Sequence, residues 1–239
     1  MLKVRELSKS FGKTKVLSQF SIELNSQDCI GLLGPSGCGK TTALRILAGL
    51  ESADSGSVEF DGLEWNRGSQ ILTPPEKRGI GFVFQNYALW PHLSVQEHFE
   101  FPLKMQKKTD PAQVRRMLSL LQIEDLKNRL PNELSGGQQQ RVALGRALVA
   151  SPKLVLFDEP LSNLDASLRG QVRSEINKLR RELGFAALVV SHDWEDVAEL
   201  CDQVAVMQGG EIQQLARPRD LLENPNSSFV RAMTRQSDR

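Results

Sequence analysis

The sequence predicts an α/β protein, and three observations carry that prediction. Short apolar runs recur with helical stripes between them: Cys29-Ile30-Gly31-Leu32-Leu33, Ile80-Gly81-Phe82-Val83-Phe84, Leu154-Val155-Leu156-Phe157 and Ala187-Leu188-Val189-Val190. Each has the length and composition of a strand buried on both faces. Directly after the first run comes Gly34-Pro35-Ser36-Gly37-Cys38-Gly39-Lys40-Thr41-Thr42, which fits G-x-x-x-x-G-K-[ST] and opens a helical pattern in Ala43, Leu44, Ile46, Leu47 and Ala48. From Tyr87 to Ala150 helical patterns replace strands. The expected architecture is a P-loop nucleoside-triphosphatase core with an N-terminal antiparallel β subdomain and an inserted α-helical subdomain. All of it forms one domain, with the core in residues 1–86 and 153–239 and the insertion in 87–152.

The loop needs these residue types. Glycines let the backbone curl with its N–H groups inward, and those groups with the positive end of the following helix hold a polyphosphate. Lys40 would reach the β- and γ-phosphates, and the Thr41 hydroxyl would ligate Mg²⁺. The plain alternative is a glycine-rich turn that binds nothing; the strand before and helix after favour the phosphate loop.

Composition sets bounds. At 239 residues, 40% hydrophobic and 25% charged, the chain has the make-up of a soluble globular protein. A formal net charge of +1 argues against an extended nucleic-acid surface. Cys29, Cys38 and Cys201 are scattered, without metal-ligand spacing, and suit a reducing compartment. Cys38 lies inside the phosphate loop, where an oxidised thiol would block nucleotide. No run of about 18 apolar residues occurs and Met1–Ser10 holds no apolar signal core, so neither a membrane span nor a cleaved export signal is expected.

In chain order, Leu2 to Leu24 reads as antiparallel strands around a turn at Lys9-Ser10-Phe11-Gly12-Lys13, with Phe11 an exposed aromatic able to stack on a nucleobase. Ser57–Phe60 is a strand entering an Asp61-Gly62 turn, and Gly62 to Lys77, being polar, is expected to be a surface excursion. The run Ile80–Phe84 is expected to be fully buried and to end on Gln85, whose amide points into a site or caps a loop. Asp110 and Pro111 start a helix with Val114, Met117, Leu118 and Leu121 on its inner face and Arg115 and Arg116 solvated. Leu134-Ser135-Gly136-Gly137-Gln138 precedes a helix over Gln139–Val149, and its two glycines make a second potential anion site. Gly145 within that helix implies a close packing contact.

Asp158 and Glu159 end the run Leu154–Phe157 at the carboxyl edge of a strand, where α/β proteins bind ligands. There Asp158 can hold Mg²⁺ and Glu159 can polarise a water, the alternative being two solvated loop carboxylates. A long helix follows with Leu168, Val172, Ile176, Leu179 and Leu183 on one stripe and Gly184 at its end. Ser191-His192-Asp193 closes the next strand at the same ligand edge. A short helix Trp194–Leu200, a hairpin turning at Gly209-Gly210, a last helix from Asp220 and a frayed polar tail from Thr234 to Arg239 complete the chain.

Taken together and in order, the phosphate loop, Leu134–Gln138, Leu154–Glu159 and His192 resemble the ATP-binding-cassette ATPases over nearly the whole chain, which implies a RecA-like core. The resemblance implies ATP and Mg²⁺ as cofactors. It makes Phe11 the aromatic that stacks on adenine, Gly34–Thr42 the Walker A loop, and Gln85 the Q-loop residue contacting Mg²⁺ and water. Leu134 to Gln138 becomes the signature, Asp158 the Walker B carboxylate, Glu159 the catalytic base, Asp165 the D-loop acid and His192 the switch histidine at the γ-phosphate. Such proteins work as head-to-tail dimers with each ATP between one chain's Walker A loop and the other's signature.

Within the family, Phe82 to Val95 resembles importer ATPases for sugars, polyamines, iron, sulfate or molybdate. That implies docking of a membrane permease on Tyr87, Leu89 and Trp90, although these could equally be core of the insertion. It also implies an extracytoplasmic substrate-binding protein, no nucleic-acid partner, and a place on the cytoplasmic face of the membrane. An exporter or lipid-extracting system shares the ATP motifs, and the stretch after Gln85 disfavours it. Asn163 stands where the family has Ala and Trp194 where Gln is common. The C-terminal regulatory domain of many importer ATPases is not expected here.

Overall fold

The structure, a computed structural model, describes residues 1–235. Two strands open the chain, β1 (Leu2–Phe11) and β2 (Thr14–Leu24), paired antiparallel from Leu2↔Leu24 to Phe11↔Thr14. Next come β3 (Cys29–Leu33) and α1 (Lys40–Ala48), then β4 (Ser55–Phe60), β5 (Leu63–Arg67) and β6 (Gln70–Ile71). These make a five-stranded sheet in the order β2-β1-β4-β5-β6.

A second sheet is built from β7 (Gly81–Val83), β8 (Leu154–Asp158), β9 (Ala186–Ser191), β10 (Gln203–Gln208) and β11 (Glu211–Ala216) together with β3, in the order β11-β10-β3-β9-β8-β7. All its pairings are parallel except the β10–β11 hairpin.

The helices are α2 (Val95–Met105), α3 (Pro111–Leu120), α4 (Gly136–Leu148), α5 (Ala166–Leu183), α6 (Trp194–Leu200), α7 (Pro218–Glu223) and α8 (Ser228–Thr234). Asp110 caps α3 by accepting from the Gln113 N–H at 2.9 Å, and Gly184, at φ 71°, ends α5.

The parallel sheet divides two apolar cores, because successive side chains of a strand point to opposite faces. Ile30, Leu32, Leu154, Leu156, Leu188 and Val190 pack with α1 and the antiparallel sheet. Cys29, Leu33, Val155, Phe157, Ala187 and Val189 pack with the remaining helices. Burial on both sides explains why these strands read as unbroken apolar runs.

Several expectations are corrected. The stretch 62–77 is not a surface excursion: it contributes β5 and β6 to the antiparallel sheet, with Trp65 only 1% exposed. Its inward face is a single Trp-Asn pair roofed by Arg78, whose five N–H groups donate to the carbonyls of Thr73, Ile46, Leu47 and Trp65 and to Asn66 Oδ1. A polar sequence therefore conceals a buried layer. Strand β7 is short and lies at the sheet edge, so Phe82 and Phe84 are half-buried and stack on each other, with ring centroids 4.3 Å apart.

Helix α4 begins at Gly136, earlier than expected, because Ser135 caps it in a reciprocal box with Gln138. Gly145 sits where an added Cβ would come 2.1 Å from Phe99 Cζ, which is the close contact its position implied. Cys29 and Cys201, far apart in sequence, bring their sulfurs to 3.5 Å in the core, and burial pushes the Cys201 thiol up. Thr234 is buried in α8; the rest of the expected frayed tail, beyond Arg235, lies outside the described residues.

Candidate nucleotide site

The carboxyl ends of β3, β8 and β9 meet at one edge, as ligand sites in parallel sheets do. Between β3 and α1 the loop Gly34–Gly39 closes on itself. Gly39 takes φ 104°, and a Cβ there would lie 2.5 Å from the Val16 carbonyl oxygen; one on Gly34 would lie 2.5 Å from that of Met207. Only glycine fits a loop pressed this tightly between β2 and the β10 end. A cleft of about 220 Å³ lies above it, lined by Val16, Ser36, Gly37, Gly39, Lys40, Thr41, Thr42 and Glu159.

Lys40 is 5% exposed and donates to the carbonyls of Gly34 at 2.6 Å and Pro35 at 3.0 Å. This buried Nζ, which also lies 3.8 Å from Cys38 Sγ, has no carboxylate partner among the described residues and stands beside the cleft, where an anion can meet it. The Cys38 side chain turns into the core and is buried.

Thr41 donates its hydroxyl to Asp158 Oδ1 at 3.0 Å. Burial pushes the Asp158 carboxyl above its ordinary value, a shift opposed by the Thr41 hydrogen bond and reinforced by the charge of Glu159. A hard hydroxyl and a hard carboxylate side by side next to a phosphate-sized cleft are the donor set Mg²⁺ takes together with phosphate oxygens. The loop and this pair therefore fit a Mg²⁺–polyphosphate.

Glu159 occupies the left-handed region at φ 48°, a costly conformation for a side-chain-bearing residue. Two bonds pin it: its N–H donates to the Val190 carbonyl at 3.0 Å, and its own carbonyl accepts from Ser162 Oγ at 3.0 Å. Its carboxylate accepts from Gln85 Nε2 at 3.2 Å and lies 3.3 Å from His192 Nδ1. The structure thus gathers Glu159, Gln85 and His192. Among the described residues no hydrogen bond joins Gln85 to Thr41 or Asp158.

Sequence reasoning missed two supports, Ser162, within 3.4 Å of Gln85 Nε2, and Asn163, which donates to the Gln85 carbonyl at 2.7 Å. The departure at Asn163 could have signalled a changed contact, but its partner lies 78 residues away and spacing does not reveal it.

Other predicted residues stand apart from this cluster. Phe11 is 50% exposed at the β1–β2 turn. Asp165 caps α5, accepting from the Ser167 and Leu168 N–H groups, and the Leu168 bond chiefly holds its carboxyl below the usual range. Leu134 is buried, whereas Ser135 and Gly136 are open, and an added Cβ on Gly136 would meet nothing within 4 Å. Among the described residues no hydrogen bond joins Ser135–Gln138 to the phosphate loop.

Of the three expected docking residues, Tyr87 is buried, at 8% exposed, while Leu89 and Trp90 are half-buried. Tyr87 and Ala88 both have positive φ, and Arg146 of α4 donates to the carbonyls of both while lying 5.2 Å from the Trp90 ring. Such consecutive turns put the Tyr87 ring inside and leave Trp90 to face outward against Phe101.

Known proteins are similar in sequence and in fold. The chain is 43% identical to the Fe(3+) ions import ATP-binding protein FbpC of Fusobacterium nucleatum, over 96% of this chain and 61% of that protein. It is 45% identical to the trehalose/maltose import ATP-binding protein MalK of Thermococcus litoralis, over 93% and 61%. Against the spermidine/putrescine import ATP-binding protein PotA of Haemophilus influenzae the figures are 42%, 96% and 61%. The chain thus spans about three-fifths of the length of these curated relatives.

Two solved dimeric structures of the ATP-binding cassette MJ0796 superpose with TM-scores of 0.79 and 0.78 at 31% and 29% identity. Each match covers 91% of this chain and 98% of the other, and the second holds ADP and Pi. The family described as ABC transporter matches residues 17–162, and with the geometry above it follows that this chain belongs to the ABC transporter family.

Proposed function

We propose that this chain is the ATP-hydrolysing, nucleotide-binding subunit of a membrane ABC importer. The observation that carries the reading is the convergence at one sheet edge of the Lys40 loop, the Thr41–Asp158 pair and a Glu159 carboxylate held between Gln85 and His192. Loop N–H groups and Lys40 bind the β- and γ-phosphates, Thr41 and Asp158 hold Mg²⁺, and Phe11 stacks on adenine. Bound Mg²⁺ supplies charge neutralisation at the phosphates. Glu159 orients and accepts a proton from the attacking water, Gln85 fixes that carboxylate, and His192 leans toward the γ-phosphate.

The open signature, unattached to its own phosphate loop, supports use in a second copy. A homodimer with ATP between Lys40 of one chain and Ser135–Gln138 of the other closes on ATP and opens when phosphate leaves, with Asp165 lying at that seam. Names of the relatives support an importer role, in which a permease on Trp90 and Leu89 and an extracytoplasmic binding protein complete the system on the cytoplasmic face of the membrane.

Glu159→Gln tests the chemistry: phosphate release falls by about 10²–10⁴-fold while ATP is retained and dimer accumulates in size-exclusion chromatography. Turnover near wild type rejects the role. Purification from detergent-solubilised native membranes tests the setting: a multi-span permease is recovered, and recovery of only ribosomal or nucleic-acid partners overturns the importer.

A further inference from the structure

Lys9 lies two residues before Phe11 in β1 and is almost wholly buried, an unusual place for an ammonium. Its Nζ stands 5.1 Å from the centroid of the Phe11 ring. The same Nζ donates to Glu51 Oε1 at 2.7 Å and Ser52 Oγ at 3.5 Å, and lies 3.9 Å from Asp54 Oδ1. Asp54 holds the same turn a second time, accepting from the Ser10 N–H at 2.7 Å, while its own N–H donates to the Ser8 carbonyl at 2.8 Å. Residues 51–54 directly follow α1, whose first residue is Lys40. One polar cluster therefore ties the exposed aromatic to the end of the helix that begins at the phosphate loop.

We infer that Lys9 is a positioning residue for nucleobase recognition: its ammonium backs one face of Phe11 and fixes the ring so that the other face receives a purine. This rests on the nucleotide-binding reading above and adds to it the device that sets base selectivity. A cation behind the ring draws π density toward itself and leaves the outer face poorer in electrons, which favours an electron-rich purine over a pyrimidine. Because Glu51 and Asp54 balance the charge, the cation stays in place without a phosphate partner. The Lys9 contribution belongs to the base and not to the phosphates.

Isothermal titration calorimetry separates the two. Mg²⁺ with ADP, and Mg²⁺ with inorganic pyrophosphate, are titrated into the wild-type chain, Lys9→Met, Lys9→Arg, Phe11→Ala and the Lys9→Met/Phe11→Ala pair. Lys9→Met weakens ADP by about 3- to 10-fold, leaves pyrophosphate within about 1.5-fold, and adds nothing once Phe11 is Ala. Lys9→Arg, which keeps a cation behind the ring, retains ADP within about 2-fold and covers the case in which Lys9→Met does not fold. Equal losses for ADP and pyrophosphate, or a full Lys9→Met effect in the Phe11→Ala background, overturn the inference. Wild-type chain that binds pyrophosphate no more weakly than ADP shows that no base is recognised and rejects the reading beneath it as well.

Discussion

The phosphate edge and the helical layer are held together in different ways. At the phosphate edge the backbone itself sets the geometry: glycines pressed against neighbouring carbonyls, β3 locked between β9 and β10, and Lys40 folded onto its own loop. The layer from Tyr87 to Val149 is joined to the core through side chains, in one apolar cluster that Val142, Leu144 and Leu148 share with Val83, Val155 and Phe157. Arg141 Nε meets Glu175 Oε2 at 3.2 Å across that boundary, and within the layer Arg146 spans from α4 to the Tyr87–Ala88 turn. A candidate binding edge gains from a preformed backbone, whereas the layer that carries Ser135–Gln138 is held by the packing of its side chains. The difference is between a geometry set by the backbone and one set by side-chain packing.

Breaking each region should therefore look different. Arg78→Met removes the guanidinium donor from the Leu47 and Thr73 carbonyls and one of two donors from that of Ile46, and global stability in urea falls by about 3–5 kcal/mol. Burial has already pushed this guanidinium down to about 10, and lysine, with fewer donors, does not rescue it.

Arg146→Gln frees two carbonyls at strained residues and costs about 2–3 kcal/mol, with amide-exchange protection lost over residues 87–105 and kept in β3, β8 and β9. Equal loss in both places would erase the contrast between the regions.

Acid sharpens it next. His98 has no exposed surface, accepts the Trp90 N–H on Nε2 at 2.9 Å and holds Nδ1 2.8 Å from the Ser94 carbonyl, so it is neutral with its proton on Nδ1. Burial chiefly lowers its pKa. The unfolded chain then takes up the proton first, and stability falls as pH drops below about 6.5, down to the lowered folded value. His98→Gln flattens that slope in pH-dependent urea titrations.

The smallest effect is the Arg141–Glu175 coupling. The pair is partly exposed and Glu175 is raised by burial, so a double-mutant cycle returns about 1 kcal/mol.

What could be read in advance follows the same division. Strands of the parallel sheet announced themselves because both faces are apolar, and the residues at their ends, Asp158, Glu159 and His192, came with them. Trp65 and Asn66 did not, since a layer made of one aromatic, one amide and a distant arginine has no periodicity. Nor did the Asn163–Gln85 and Lys9–Phe11 relations, which depend on how the turns fold. Tyr87 was left open between dock and core, because the two left-handed residues in succession that turn its ring inward have no signature in the sequence.

Adjacent residues of the central sheet also answer to separate neighbourhoods. Val189 faces the helical layer and Val190 faces α1 and the antiparallel sheet. Methyl labels one peptide bond apart would thus serve as two independent reporters, one sensing changes among the helices, the other sensing changes beside α1 and the phosphate loop.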